Sequence, residues 1–249
     1  MFTPFSAVVY PANPFISQLR QTTLHAFPWL SLTEIRFDLQ QFDPALFGLY
    51  QIPPPPHLSK AVTKRRAEYL ASRYAARIAL ASMGIHDFIL ENDADRAPIW
   101  PAGIIGSLSH TAQRAVIICA ADRPQRLAGV DVEQLMKADT ALEVSDSIVS
   151  ADELDYLQQC GIPLTTAITL AFSLKESLYK ALYPRLRQFM DFHSAEVIEL
   201  DGETGQARLR LTRSFSTEFP AGRQFSGYFQ QQQDEIITLV VDDMHPAGN

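Results

Sequence analysis

The sequence predicts an α+β fold, in which helical and strand segments occupy separate stretches of the chain. Two long segments have the apolar spacing of helices, residues 60–83 and the stretch around residues 170–182. Four segments after residue 194 instead alternate between apolar and polar side chains, as half-buried strands do. Residues 201–205 between the first two of these segments read DGETG, which indicates a hairpin turn.

The N-terminal part begins with little periodicity, and residues 33–39 are its one fair strand candidate. Residues 53–56 are consecutive prolines, which predict an extended connector, with a recognition ligand as the alternative. Ser59 is predicted to cap a helix over residues 60–83 that Gly84 ends. The predicted buried stripe of this helix comprises Ala67, Leu70, Tyr74, Ile78 and Ala81.

A second face of this helix is basic. It carries five of the 21 Lys and Arg residues of the chain within 14 positions: Lys64, Arg65, Arg66, Arg73 and Arg77. A solvated face is the alternative interpretation. A local concentration of positive charge nevertheless attracts anions, even on a chain with a net charge of −7. The concentration favours an anion-binding surface.

The middle of the chain predicts three strand segments, residues 106–110, 115–120 and 127–133. A turn at residues 122–125 suggests two halves, residues 1–124 and 125–249. In the third segment Asp131 and Glu133 share one face, about 7 Å apart at their backbones. They are either a solvated strand face or, with a third carboxylate, ligands for a hard cation such as Mg²⁺.

Two helices and four strands are predicted in the remainder. Ser150 and Glu153 form a capping box that opens a short helix to about Gln159. Thr165 or Thr166 is predicted to cap the second long helix, which Pro184 should end. Leu170, Leu174, Leu178 and Leu182 form its apolar stripe, with Glu176 and Lys180 on roughly the opposite face. The predicted strands are residues 195–200, 206–212, 225–229 and 235–241.

Composition limits the function. A net charge of −7 argues against a general nucleic-acid binder. The N-terminal residues 1–10 lack the basic start of a signal peptide, and no apolar run is long enough to span a membrane. We therefore expect a cytoplasmic protein.

Three ordered motifs resemble those of a known family. Residues 129–133 read GVDVE, residues 172–180 read FSLKESLYK, and residues 100–110 read WPAGIIGSLSH. The first two resemble the signature pair of the 4′-phosphopantetheinyl transferase superfamily. The third is similar to its enterobactin synthase component D-like (surfactin-type) branch. The resemblance covers residues 64–192, roughly half of the chain.

The resemblance implies a pseudo-twofold fold with two lobes, each a small antiparallel sheet with packed helices, and an active site between them. It implies transfer of 4′-phosphopantetheine from coenzyme A to a serine of an acyl or peptidyl carrier protein, with adenosine 3′,5′-bisphosphate as the second product. The carrier could serve siderophore or other nonribosomal peptide, polyketide or fatty acid synthesis. We expect a monomer.

Specific residues acquire roles through this resemblance. Asp131, Glu133 and Glu176 are the implied Mg²⁺ ligands, and Glu176 is also the family's candidate base for the carrier serine. Lys180 is the implied catalytic phosphate contact, and Lys175 is a weaker second candidate.

The coenzyme's 3′-phosphate has its own implied contacts, Arg65 and Arg73 from the basic helix and the pair Ser109–His110. Residues 95–98 read DRAP, where family members commonly carry a Gly-Lys pair. This loop therefore departs from the family pattern.

Two other classes of function use the same residues. A Mg²⁺-dependent phosphohydrolase could employ the carboxylates, although the sequence shows no evident cluster of water-activating histidines. A non-catalytic carrier-binding module would not need Asp131, Glu133, Glu176 and Lys180 intact. Because carrier proteins of this class are usually acidic, we expect docking through an apolar surface, around residues 186–192, rather than through net charge.

Overall fold

The computed structural model describes residues 13–243, which divide into two compact units between Asp122 and Arg123. The expectation about a signal peptide concerns residues 1–10 and lies outside the described residues. No helix in residues 13–243 is long and apolar enough to cross a membrane.

The N-terminal unit is a four-stranded antiparallel sheet in the order β1-β2-β6-β5, with one long helix. Its elements are β1 (Ile16–Leu24), β2 (Phe27–Phe37), α1 (Leu46–Leu49), α2 (Thr63–Ala81), β3 (Glu91–Asn92), β4 (Pro98–Ile99), β5 (Ile104–His110) and β6 (Arg114–Ala121). Strands β3 and β4 form a separate small hairpin. Helix α2 packs on β2, β5 and β6, which explains why β6 is buried along almost its whole length.

The predicted helix of this unit is confirmed, but its start was wrong. Ser59 follows a short 3₁₀ turn, Pro56–Leu58, and α2 begins only at Thr63. Val62 occupies the cap position and provides no side-chain hydrogen bond. The burial of Ala67, Leu70 and Ala71 on the sheet therefore holds the helix, and no capping hydroxyl contributes.

The C-terminal unit is a five-stranded antiparallel sheet in the order β7-β11-β10-β9-β8. Its elements are β7 (Arg126–Gln134), α3 (Ala138–Ile148), α4 (Ala151–Gln159), α5 (Leu164–Leu186), β8 (Ala195–Asp201), β9 (Gln206–Leu211), β10 (Gln224–Gln232) and β11 (Glu235–Asp243). The sequence did not predict α3. The Ser150 cap of α4 is confirmed, because its hydroxyl accepts the N–H of Glu153 at 3.2 Å. The α+β prediction is confirmed in both units.

Helix α5 is the central element of this unit and packs on β7, β8 and β11. Its four stripe leucines are buried. A Cβ at Gly129 of β7 would collide with the Ser177 carbonyl oxygen, so glycine permits the close approach of strand and helix.

Both predicted ends of α5 were wrong. The helix begins after Pro163 without a side-chain cap. It also continues through Pro184 to Leu186, and Arg187 ends it with a positive φ of 49°. Proline near a C-terminus removes only one hydrogen bond, and the burial of this helix outweighs that loss.

Candidate active site

Asp131 lies in the interior of the C-terminal unit, on β7 beneath α5. Its exposed fraction is 2%. The Lys180 ammonium donates to its Oδ1 at 2.6 Å, and the Ser173 hydroxyl donates to its Oδ2 at 2.7 Å. The interpretation of Asp131 as part of a solvated strand face was therefore wrong. Helix α5 covers this face and contributes both hydrogen-bond donors.

Glu133 and Glu176 lie close enough to this pair to interact with it electrostatically. Burial, with Asp131 and Glu176 adding to it, raises the pKa of Glu133 to about 7, and Lys180 opposes the rise. Burial also raises the pKa of Glu176. The Lys180 charge lowers this pKa, and the Asp131 charge raises it further. The structure thus brings together Asp131, Glu133, Glu176 and Lys180.

Three acidic side chains and one lysine leave this region with an excess of acidic groups. Carboxylate oxygens are the donors that Mg²⁺ prefers, and one or two carboxylates are sufficient when waters and phosphate oxygens complete the shell. The chemistry of the donors therefore fits a divalent cation. In residues 13–243, however, no group of three or more His, Cys, Asp or Glu side chains is arranged as a metal cage. The Lys180 ammonium already places one positive charge beside Asp131.

Lys175 is placed differently from the other predicted phosphate contacts. Its ammonium donates to Glu153 Oε2 and to the Ile148 carbonyl oxygen, both at 2.7 Å, and the side chain is 3% exposed. Burial lowers the pKa of Lys175, and Glu153 opposes that effect. The geometry gives this lysine a structural partner, away from Asp131.

In the N-terminal unit, several of the predicted coenzyme contacts surround one carboxylate, that of Glu68. Lys64 and Arg65 lie 3.9 Å from its oxygens, and His110 Nδ1 lies at 4.0 Å. Burial raises the pKa of Glu68, while Lys64 and Arg65 lower it. The Glu68 carboxylate thus lies among Lys64, Arg65 and His110, and we call these four residues the Glu68 cluster.

Arg73 is a buried basic residue, although the sequence predicted it on the basic surface of α2. Its guanidinium donates to the Leu90 carbonyl oxygen at 2.8 Å and to Asn92 Oδ1 at 2.5 Å, and it lies over the Tyr69 ring. These contacts join α2 to the β3 region. Arg73 therefore supports the fold, whatever else it contacts, whereas the Arg65 side chain is 54% exposed.

Trp100 and Gly106 explain part of the third motif. A Cβ at Gly106 would lie 2.6 Å from the Trp100 ring, so glycine lets the indole lie against β5. Ser109 is buried and His110 is partly exposed at the end of this strand. Trp100 thus packs against one side of β5, and His110, the last residue of this strand, lies beside Glu68.

The sequence analysis did not predict the contacts of three residues. These are Glu68 beside Arg65 and His110, Glu153 beside Lys175, and Thr238, whose Oγ1 lies 2.9 Å from Ser173 Oγ. Glu68 was detectable, since it is the acidic residue three and four positions after Arg65 and Lys64. Thr238 was detectable as the hydroxyl within the apolar run IITLVV of residues 236–241. Glu153 carried no signal for its role, because its partner Lys175 is 22 residues away.

Two family models match the chain. The model of the 4′-phosphopantetheinyl transferase N-terminal domain matches residues 54–120. The model of the 4′-phosphopantetheinyl transferase superfamily matches residues 128–238, which include Asp131, Glu133, Glu176 and Lys180.

Individual relatives agree with these models. Enterobactin synthase component D of Salmonella typhi is 36% identical over 208 residues, which cover 82% of this chain and 85% of that protein. The 4′-phosphopantetheinyl transferase PptT of Mycobacterium tuberculosis is 29% identical over 217 residues, 80% of this chain and 92% of that protein. The 4′-phosphopantetheinyl transferase Npt of Nocardia iowensis is 32% identical over 140 residues, 56% of this chain and 62% of that protein. The chain belongs to the 4′-phosphopantetheinyl transferase superfamily.

Proposed function

We propose that this chain transfers 4′-phosphopantetheine from coenzyme A to a serine of an apo carrier protein and that the reaction depends on Mg²⁺. The observation that carries the proposal is the Lys180–Asp131 pair beside Glu133 and Glu176, in a chain of this superfamily. The similarity to enterobactin synthase component D supports a carrier of siderophore or other nonribosomal peptide synthesis. We also propose that the reaction takes place in the cytoplasm and that the enzyme is a monomer.

The reaction is an attack on the pyrophosphate of coenzyme A. The serine oxygen forms a bond to the phosphorus that carries pantetheine, and the bond from that phosphorus to the bridging oxygen breaks. Adenosine 3′,5′-bisphosphate leaves with that oxygen, and the serine proton passes to a base. Catalysis therefore needs positioned groups and neutralised phosphate charge more than it needs covalent chemistry.

The C-terminal unit is proposed to provide the chemical groups. Asp131, Glu133 and Glu176 would hold the divalent cation, which supplies charge neutralisation at the pyrophosphate. Lys180, at 26% exposure, has the reach and solvent access to exchange its Asp131 contact for a phosphate oxygen. Glu176 is the proposed base for the serine proton. Lys175 is left out of this set, because its ammonium already has two acceptors.

The N-terminal unit is proposed to recognise the 3′-phosphate of the coenzyme. Arg65, Ser109 and His110 are the proposed contacts, and Glu68 holds two of these residues in place. Arg73 contributes positive charge from a buried position. The Glu68 carboxylate offsets only one of the two positive charges of Lys64 and Arg65, so the cluster keeps a net positive charge that suits a phosphate.

Incubation with coenzyme A, Mg²⁺ and an apo carrier, followed by mass measurement of the carrier, tests the proposal. A transferase increases the carrier mass by one phosphopantetheine group, and EDTA abolishes the increase. Hydrolysis of coenzyme A with an unchanged carrier would indicate a phosphohydrolase, and binding without either change would indicate a carrier-binding module. Both of those results contradict the proposal.

The 3′-phosphate assignment has a separate test. Arg65→Ala and His110→Ala should weaken binding of coenzyme A far more than binding of 3′-dephospho-coenzyme A. Arg77→Ala is the matched control, because Arg77 lies on the same helix but contacts the Gln51 carbonyl oxygen and the Tyr74 ring. Equal losses for both ligands would refute the assignment.

Carrier docking is proposed to use an aromatic patch formed by Tyr179, Tyr183 and Phe189. The rings of Tyr183 and Phe189 lie 5.4 and 6.4 Å from the Tyr179 ring, measured between centroids, and Phe189 is 74% exposed. This patch adjoins Lys180 in the sequence and includes part of the predicted residues 186–192. Phe189→Ala should raise the KM for the carrier without changing that for coenzyme A. A steep loss of carrier affinity between low and moderate salt would contradict an apolar contact.

A further inference from the structure

Three hydroxyl groups form a buried cluster behind Asp131. Thr238 is the residue of β11 paired directly with Asp131 of β7, and Ser173 and Ser177 lie one turn apart on α5. All three side chains are fully buried, with 0% exposure. Residues 236–241 are apolar apart from Thr238, so packing alone would be met by valine.

The contacts connect all three hydroxyls to the carboxylate. Ser173 Oγ lies 2.7 Å from Asp131 Oδ2 and 2.9 Å from Thr238 Oγ1. Ser177 Oγ lies 2.8 Å from Thr238 Oγ1 and 3.1 Å from the Thr238 carbonyl oxygen. Thr238 Oγ1 also lies 2.9 Å from the Ser173 carbonyl oxygen. No hydroxyl of this cluster is isolated.

Proton counting gives the chain of hydroxyls a direction. Each hydroxyl has one proton. Ser173 gives its proton to Asp131, so in its contact with Thr238 it can only accept. Thr238 therefore directs its proton towards Ser173, whose Oγ and carbonyl oxygen both lie 2.9 Å from Thr238 Oγ1. Ser177 likewise directs its proton towards Thr238, whose Oγ1 and carbonyl oxygen lie at 2.8 and 3.1 Å. Thr238 thus holds Ser173 in place, and Ser173 donates to the carboxylate.

We propose that Thr238 is a positioning residue that acts through Ser173 to fix the orientation of the Asp131 carboxylate. Rotation of this carboxylate would break the bond at Oδ2, so the hydroxyl chain turns Oδ1 towards Lys180 and the cation site. The inference rests on the proposed function, because it assigns Thr238 and Ser173 to the orientation of a proposed metal ligand. Groups of this kind typically change metal affinity or activity by about 10–100-fold when they are removed.

Titration of the full chain with Mn²⁺ alone, followed by the electron paramagnetic resonance signal of free Mn²⁺, tests the inference. Thr238→Val keeps the shape and removes the hydroxyl, and it should weaken Mn²⁺ binding by about 10-fold or more. Ser173→Ala should weaken it at least as much. Thr238→Ser restores the hydroxyl and should return Mn²⁺ affinity towards that of the wild type.

Thr169→Val is the matched control for a merely structural role. Thr169 lies on α5 and is fully buried, like Thr238. Its hydroxyl donates to the Thr165 carbonyl oxygen at 2.7 Å and accepts the Met136 N–H at 3.2 Å. The two valine variants should lose similar thermal stability, but only Thr238→Val should lose Mn²⁺ affinity. Equal Mn²⁺ affinities for the two variants would overturn the inference.

The remaining outcomes separate this inference from the proposed function. If Thr238→Val does not fold, Ser173→Ala against Thr169→Val provides the same comparison. If the wild type transfers phosphopantetheine and Thr238→Val binds Mn²⁺ like the wild type, the positioning role alone is wrong. If the wild type neither binds Mn²⁺ nor modifies a carrier, the proposed function fails and the inference fails with it.

Discussion

Two lysines of α5, five residues apart, form ion pairs of almost equal length but in different surroundings. Lys175 Nζ lies 2.7 Å from Glu153, and Lys180 Nζ lies 2.6 Å from Asp131. The Lys175 side chain is 3% exposed and that of Lys180 is 26% exposed. Bond length therefore does not distinguish the buried Lys175–Glu153 pair from the Lys180–Asp131 pair of the proposed site.

The charge around each pair is the real difference. Glu153 has one lysine and a further bond from the Val197 N–H at 2.7 Å, so its charge is balanced and its oxygens are satisfied. Lys180 instead faces Asp131 with Glu133 and Glu176 nearby. Burial, with the Asp131 and Glu176 charges adding to it, raises the pKa of Glu133. A charge-balanced pair can be buried in a core, whereas an excess of carboxylates favours the binding of a second cation.

Removal of Lys175 should produce the largest loss of stability. Lys175→Met leaves the Glu153 carboxylate buried and uncompensated, and it should lower the free energy of unfolding by about 3–5 kcal/mol. Urea denaturation measures this loss. Adding Glu153→Gln should recover part of it, because glutamine can still accept the Val197 N–H without a charge. A loss below 1 kcal/mol for Lys175→Met would show that the pair is not structural.

Removal of Lys180 should cost less, and a metal should compensate for it. Lys180→Met leaves Asp131 with the Ser173 bond, so we expect a loss of about 1–3 kcal/mol in EDTA. Mn²⁺ should then raise the melting temperature of this variant more than that of the wild type, since the added cation replaces the ammonium. Lys175→Met is the control and should gain no such extra stabilisation. Equal metal effects on both variants would remove the distinction drawn here.

The sequence predicted which of these side chains lie together better than it predicted their environments. Motif positions indicated Asp131, Glu133, Glu176 and Lys180, and the structure does bring them together. Strand alternation could not show that α5 would bury Asp131, because burial depends on which helix covers the sheet. The same limit applies to Lys175, whose partner comes from α4.

Local rules also failed where tertiary packing was stronger. Pro184 is a reliable signal for a helix end, yet α5 continues past it. Ser59 has the residue type of a cap, yet it follows the short 3₁₀ turn Pro56–Leu58, and the helix begins only at Thr63. Both errors concern element ends, where a few buried contacts decide the outcome.

The pH dependence of stability should report the burial of Glu133 beside two other carboxylates. Its pKa is about 7 in the folded protein against 4.5 ordinarily, so between these values the folded state keeps a proton that the unfolded state releases. The free energy of unfolding in EDTA should therefore fall by about 1 kcal/mol, after solvent screening, as pH rises from 4.5 to 7. Above pH 7 this contribution should stay level.

Glu133→Gln isolates this contribution, because glutamine does not titrate. Its urea midpoint should fall less than that of the wild type over the same pH interval. Mg²⁺ should also reduce the wild-type slope, since a cation favours the ionised carboxylate. Parallel pH profiles for the two proteins would show that the folded protein does not raise the pKa of Glu133.

The rate of carrier modification by Lys180→Ala and Glu176→Gln, measured by mass at saturating Mg²⁺ on samples shown to be folded, tests the central claim most directly. Loss of contacts made mainly in the transition state predicts rates on the order of 10²–10³-fold below wild type. Lys180→Arg should recover only part of the rate, because a planar fork replaces a compact ammonium. Near wild-type rates for both Lys180→Ala and Glu176→Gln would contradict the account and leave α5 with a structural role alone.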